Sequence, residues 1–245
     1  MLFKVLTALS ILWAAPGKAE QDITFGMTTT QEASGFANAL LGEMKTAFPT
    51  FDLSYSIAGT SQQLRVLQDG FVPFAITHNA AKEQELIAQG DHTRQILFAN
   101  DFLFVGPETS TITCQSIHEC LAALLQSDET FMSRGDQSGT HAYEMAQWAI
   151  AGIDPNALEN YQVSSGGAAN SLRICGIRNC HIIVDESSFS TSQRNGLVEI
   201  ARDPGTNLYS LISAIDFAQG AGQDILLWVE NEAPRISEKF GYRRP

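Results

Sequence analysis

The chain has 245 residues, 44% of them hydrophobic and 17% charged, with a formal net charge of −12. A balance this acidic repels nucleic acid and anionic membrane surfaces at long range, so those partners are excluded and anion capture would depend on local positive groups. The length suffices for one large domain or two smaller lobes.

Residues 1–19 read as a secretory signal peptide. Lys4 gives a positive start, residues 5–15 are apolar, and Gly17-Lys18-Ala19 supplies small residues for cleavage. The run is too short and wrongly flanked to span a membrane. No lipobox-like cysteine follows it, and no later stretch is apolar for long enough to cross a bilayer, so the mature product is expected free in the periplasm.

A strand is expected at 22–27, then Thr28-Thr29-Thr30 and a helix whose Phe36, Leu40, Leu41, Met44 and Phe48 recur on one face. Residues 52–57 alternate as a second strand, and Ala58-Gly59-Thr60-Ser61 turns into a helix with Leu64 and Leu67 inward. A short strand at 72–77, a helix at 80–89 and an extended run at 96–105 complete a first set. Strands alternating with helices predict a parallel-dominated α/β sheet.

A second set follows: a helix at 120–125, an extended piece at 130–132, and a helix at 140–151 with Gly152 at its C′ position and Pro155 beyond it. Residues 164–170 repeat the loop-then-helix theme, 181–184 form a strand, and 208–215 and 224–229 suggest a final strand and helix. Trp148 and Trp228 are expected in the core and Arg243-Arg244 in a solvated tail. There is no sequence repeat, low-complexity tract or Pro-rich linker. Cys114/Cys120 and Cys175/Cys180 are two close pairs, and in an exported chain that spacing favours local disulfides over a metal site.

The stretch richest in chemistry is Ser133-Arg134-Gly135-Asp136-Gln137-Ser138-Gly139-Thr140-His141, directly before a helix. The free N–H groups of a helix start attract anions, and Arg134 adds a bidentate, charge-assisted contact. Three other junctions, Thr28 to Thr30, Gly59 to Ser61 and Ser164-Ser165-Gly166-Gly167, carry hydroxyls and glycine at helix starts. Each alone reads as ordinary capping. Four together, one with Arg134, read as a cradle for a tetrahedral oxyanion at the carboxyl ends of the strands. Asp136 could orient Arg134, cap the helix, or accept a proton from hydrogen phosphate. Ser138 and His141 raise a secreted serine hydrolase as a weaker alternative, for no Gly-x-Ser-x-Gly elbow is present. The histidines have no metal-ligand spacing, so neither metal nor cofactor is expected.

These residues resemble the tungstate-binding receptors of ABC importers, within the wider periplasmic solute-binding superfamily that includes molybdate and phosphate receptors. The likeness runs through Thr28-Thr29-Thr30 with Ser34-Gly35, Gly59-Thr60-x-Gln62-x-Leu64, Asn100-Asp101-Phe102-x-x-Val105-Gly106-Pro107, the nonapeptide 133–141, and Ala151-Gly152-Ile153-Asp154-Pro155. Gly70-Phe71-Val72-Pro73, Asp185-Glu186-Ser187-Ser188-Phe189 and Gly166-Gly167-Ala168 depart from the family's pattern, while His78 keeps to it.

The resemblance implies a two-lobed α/β fold of the class II periplasmic type, each lobe a mostly parallel sheet flanked by helices and joined by a hinge. Lobe one would take 20–104, lobe two 105–192, and 193–245 would return to lobe one and end in a helix. It implies a monomeric, non-enzymatic receptor that passes tungstate or molybdate to an ABC permease. Thr29, Thr30, Thr60 and Ser61 would approach from the first lobe, and Arg134, Ser138, Gly139 and Thr140 from the second, with Gly166 and Gly167 at the remaining junction. A phosphate-type receptor, or a module reporting ligand to a membrane sensor, is the alternative.

Overall fold

Ile23, Phe25 and Met27 occupy alternate positions of Gln21–Thr28 and are all buried, which makes this segment β1, an inner strand. In the computed structural model, which describes residues 21–245 except Ser165, Gln193 and Ala221, β1 pairs in parallel with β2 (Phe51–Ala58) and β3 (Phe74–Thr77). The expected signal peptide lies outside the described residues. Helices α1 (Thr29–Ala33) and α2 (Phe36–Ala47) follow β1, α3 (Thr60–Gln68) follows β2, and α4 (Ala80–Ile87) follows β3. Three neighbouring parallel strands therefore deliver three helix starts to one edge of the sheet.

Two long strands, β4 (His92–Pro107) and β8 (Leu197–Ala214), run antiparallel to each other across the molecule. With β7 (Ile182–Asp185) they complete a six-stranded sheet of order β2-β1-β3-β8-β4-β7. A parallel pair, β5 (Phe131–Ser133) and β6 (Tyr161–Val163), extends the far end, Phe131 bridging to His181 beside β7. Around this half lie α5 (Ile117–Leu124), α6 (Gly139–Ala151), α7 (Gly167–Arg178) and α8 (Glu186–Thr191). Helices α9 (Ile215–Ala218) and α10 (Gln223–Ser237) return to the first half.

The apolar interior is divided accordingly. Phe25, Phe36, Leu40, Phe74, Phe98, Tyr209 and Val229 belong to one core. Beyond Asn100, β4 is buried on both faces, so its sequence reads as a continuous apolar run. Phe102 and Phe104 pack with residues of α5 and α6, while Leu103 and Val105 pack with residues of α7 and β7. The two close cysteine pairs are disulfides, Cys114–Cys120 and Cys175–Cys180.

Three expectations change. The six-stranded sheet is mixed and not parallel-dominated, because β8 runs antiparallel to both β3 and β4, and β4 antiparallel to β7. The last strand, expected to start at 208, begins at Leu197 and takes Pro204 and Gly205 into its length. They fit because the β4–β8 register slips there: Asn100 faces Asn207 but Phe102 faces Asp203, a bulge in which Gly205 adopts φ +69°. Buried Asp101 fills the bulge, accepting from Gly205 N at 2.7 Å and pairing with Arg202 at 2.5 Å. Arg243, expected in a solvated tail, is docked instead. Its backbone exchanges hydrogen bonds of 2.8 and 2.9 Å with Ala99, and its guanidinium pairs with Asp101 and Glu186. A buried carboxylate needs counter-charge, and this cation supplies it.

Candidate functional site

The helix starts of the first half carry buried hydroxyls. At the β1–α1 junction Thr28 N donates to Gln31 Oε1 at 2.7 Å, a reciprocal cap that fixes the first turn. Thr29 is half-buried, whereas Thr30 is fully buried and its Oγ1 has no partner; nor has Gln31 Nε2. Thr60, the first residue of α3, is likewise buried with Oγ1 unpartnered. Ser61 turns the other way and donates to Gln137 O at 3.0 Å, joining this half to the Arg134 loop. Gly59 lies on the same side, where a Cβ would be 3.4 Å from Asp136 O, an ordinary contact.

The Arg134 loop leaves β5 and is folded back by two left-handed residues, Gly135 (φ +56°) and Gln137 (φ +57°). Arg134 is wholly buried. Its Nε, at 3.0 Å, and Nη2 both donate to Asp136 Oδ2, and Nη1 has no partner. Asp136 Oδ1 accepts from Ser138 N at 3.1 Å. Burial pushes the Asp136 carboxyl up, but the Arg134 charge and the Ser138 hydrogen bonds outweigh it and hold the group below its ordinary range. Asp136 therefore orients Arg134 and has both oxygens engaged. Next along, Ser138 Oγ caps α6 by accepting from His141 N at 3.2 Å, and Thr140 Oγ1 is buried without a partner.

Gly139 presses against His78, the residue after β3, where a Cβ would overlap the His78 carbonyl and lie 2.7 Å from its Nδ1. The contacts at Ser61, Gly59 and Gly139 bring the β3, α3 and α6 junctions together. Helix α1 packs beside α7 and α8, which brings the remaining junctions to the same region. Gly166 is exposed and Gly167 half-buried with φ +74°, so these two are less enclosed than the others. Ser165 lies outside the described residues.

Four residues at these junctions escape a search for hydroxyl-rich loops that lead into helices. They are Gln31, His78, Asp185 and Ser188, all buried and all with a polar atom that lacks a partner: Gln31 Nε2, His78 Nε2, Asp185 Oδ2 and Ser188 Oγ. The signal for the last two was the Asp-x-x-Ser spacing, because Asp185 Oδ1 caps α8 by accepting from Ser188 N at 2.9 Å.

Ser138 and His141 do not form a nucleophile and base. The serine oxygen caps the helix, and His141 Nδ1 accepts from Gln137 N at 3.1 Å. Among the described residues no group of three or more His, Cys, Asp or Glu side chains is placed to hold a metal ion. No described helix is long and apolar enough to cross a membrane.

The sequence family described as the PBP superfamily domain matches residues 14–201. The chain is 29% identical over 227 residues to the tungstate-binding protein TupA of Peptoclostridium acidaminophilum, spanning 88% of this chain and 78% of that protein. It is 26% identical over 171 residues to the tungstate-binding protein TupA of Campylobacter jejuni, spanning 66% of this chain and 64% of that protein. The crystal structure of the tungstate ABC transporter from Geobacter sulfurreducens superposes with a TM-score of 0.78 at 24% identity, covering 91% of this chain and 100% of that chain.

Proposed function

The chain belongs to the PBP superfamily, and from that premise we propose that it is a receptor for a compact oxyanion, tungstate or molybdate, captured in the periplasm for an ABC-type importer. It acts by binding alone. The lobes, 20–104 with 193–245 and 105–192, close on the ligand about the β4–β8 crossing. The tungstate-binding names of two relatives support the choice of anion.

One observation carries the reading. Thr30 Oγ1, Gln31 Nε2, Thr60 Oγ1, Arg134 Nη1, Thr140 Oγ1 and Ser188 Oγ are buried groups able to donate a hydrogen bond, and none has a partner. A buried polar group left unpaired costs about 1–3 kcal/mol, so six such groups around neighbouring junctions make sense as partners of an anion. The field is not strongly positive, because Asp136 offsets Arg134. Attraction then comes from aligned hydroxyls and the starts of α3 and α6. Asp136 is paired with Arg134 and held below the ordinary carboxylate range, which makes it a poor acceptor for a proton of hydrogen phosphate.

Arg134→Ala removes the one fixed cation while leaving the capping of α6 by Ser138 intact. Titration calorimetry with sodium tungstate is expected to show at least about a 100-fold loss of affinity, the scale of charge-assisted hydrogen bonds, with an unchanged circular dichroism spectrum. Unchanged affinity in a folded variant would remove the site from the Arg134 loop.

A further inference from the structure

His78 stands where the two halves meet. It follows the last residue of β3, so it shares the sheet edge with the β1–α1 and β2–α3 junctions, and Gly139 of α6 lies against it from the other half. The residue is 4% exposed, and its ring stacks flat on Tyr209, centroids 4.6 Å apart.

A chain of side-chain amides fixes which nitrogen holds the proton. Asp185 Oδ1 accepts from Ser187 Oγ at 2.5 Å and from Ser188 N at 2.9 Å, so it is an acceptor, and Asn100 must present Nδ2 to it at 3.3 Å. Asn100 Oδ1 then accepts from Asn207 Nδ2 at 2.7 Å, which turns Asn207 Oδ1 toward His78 Nδ1 at 2.9 Å. Nδ1 is therefore the donor, and in the neutral ring Nε2 is a bare lone pair. That atom is buried and has no partner. Facing an oxyanion, two lone pairs repel unless a proton lies between them.

We propose that His78 is a proton-linked ligand of the oxyanion site: the anion is held with one proton between its oxygen and His78 Nε2, and a dianion draws that proton from water as it binds. This rests on the oxyanion-receptor reading above. The charges around the ring suit such a switch. Burial and the Arg134 charge hold the imidazole below its ordinary value, while Asp185 and Glu83 pull the other way; Tyr209, stacked beneath, stays neutral because burial raises its hydroxyl. An arriving dianion adds the negative charge that tips the balance. The resulting imidazolium is connected through Asn207 and Asn100 to the Asp185 carboxylate. Asp136, paired with Arg134 and held below its ordinary range, is unsuited to this part.

The test is calorimetry of sodium tungstate binding near pH 8 in buffers of different ionisation enthalpy. The wild-type protein is expected to take up about one proton per tungstate, and its affinity to fall by about tenfold per pH unit above that pH. His78→Gln places an amide donor that does not titrate near the position of Nε2. It is expected to bind within roughly tenfold of wild type, with no proton uptake. In wild type, the nitrogen-15 resonance of His78 Nε2 is expected to move from the unprotonated to the protonated range on adding tungstate, a readout that does not depend on the variant folding. Binding without proton uptake, or uptake that persists in folded His78→Gln and so belongs to another group, overturns the assignment while leaving the receptor reading intact. Absence of any thermal shift with tungstate, molybdate or sulfate overturns both.

Discussion

Glu144 of α6 sits directly behind the Arg134 loop, fully buried, and accepts from Ser133 Oγ at 3.0 Å, Arg134 N at 3.3 Å, Tyr161 Oη at 3.3 Å and Trp148 Nε1 at 3.4 Å. One side chain thereby ties α6, β6 and the end of β5 to the backbone of the residue that carries the charge. The four donors favour the carboxylate, yet burial outweighs them and the group is pushed up to about 7 from an ordinary 4.5. Folded, Glu144 keeps its proton until about pH 7; unfolded, it releases it near pH 4.5. Between those values the folded state binds more protons than the unfolded one. This group's contribution to stability therefore falls as pH rises through the window, by up to ~3 kcal/mol. Glu144→Gln removes the titration, so the stability of the variant relative to wild type is expected to rise by that amount between the two ends of the window. Urea denaturation at a series of pH values measures it, and a constant difference would show that Glu144 titrates normally.

At the scale of elements, the Cys175–Cys180 disulfide joins the last turn of α7 to the approach to β7, around Asn179 in the left-handed conformation (φ +51°). Closing a loop this short restrains the unfolded chain by about 2 kcal/mol. Replacing both cysteines by serine is expected to lower the urea midpoint accordingly, with little change in slope and with tungstate affinity retained, since neither sulfur is near the Arg134 loop in sequence or capping. A midpoint equal to wild type would mean that the bond restrains nothing. This pairing was legible beforehand because it is local, as were the hydroxyl cap of α6 and the apolar face of α2, all set by residues a few positions apart. The first part of β8 was not legible. Pro204 and Gly205 carry turn signals, and only Asp101 on the other strand turns them into a bulge. His78 and Arg243 were obscure for the same reason, because what defines them, Asn207 in one case and Asp101 in the other, lies far along the chain. The hydroxyls of the candidate site could be read from junctions, but the Asn100–Asn207 relay beneath them could not.

At the scale of the whole molecule, the halves are linked through β4 and β8 and also meet where Ser61 contacts Gln137, where Gly59 lies near Asp136, where α1 packs beside α7 and where Gly139 abuts His78. The last contact separates closure from folding. Gly139 is the first residue of α6 and does not have a positive φ, so alanine fits its backbone and helps the helix by up to about 1 kcal/mol. In the arrangement of this structure, however, the added Cβ would overlap the His78 carbonyl oxygen, which is backbone and cannot swing aside. Overlap of that kind is relieved only if α6 and the end of β3 move apart, and the helix starts of the two halves would then no longer converge on one anion. Gly139→Ala is therefore expected to match wild type in stability without ligand while losing at least about 100-fold in tungstate affinity, equivalent to ~3 kcal/mol. Its radius of gyration by small-angle scattering with tungstate present is expected to exceed that of wild type. If the variant binds as tightly as wild type and scatters identically, contact between Gly139 and His78 is not needed for capture, and the ligand must be held by one half alone.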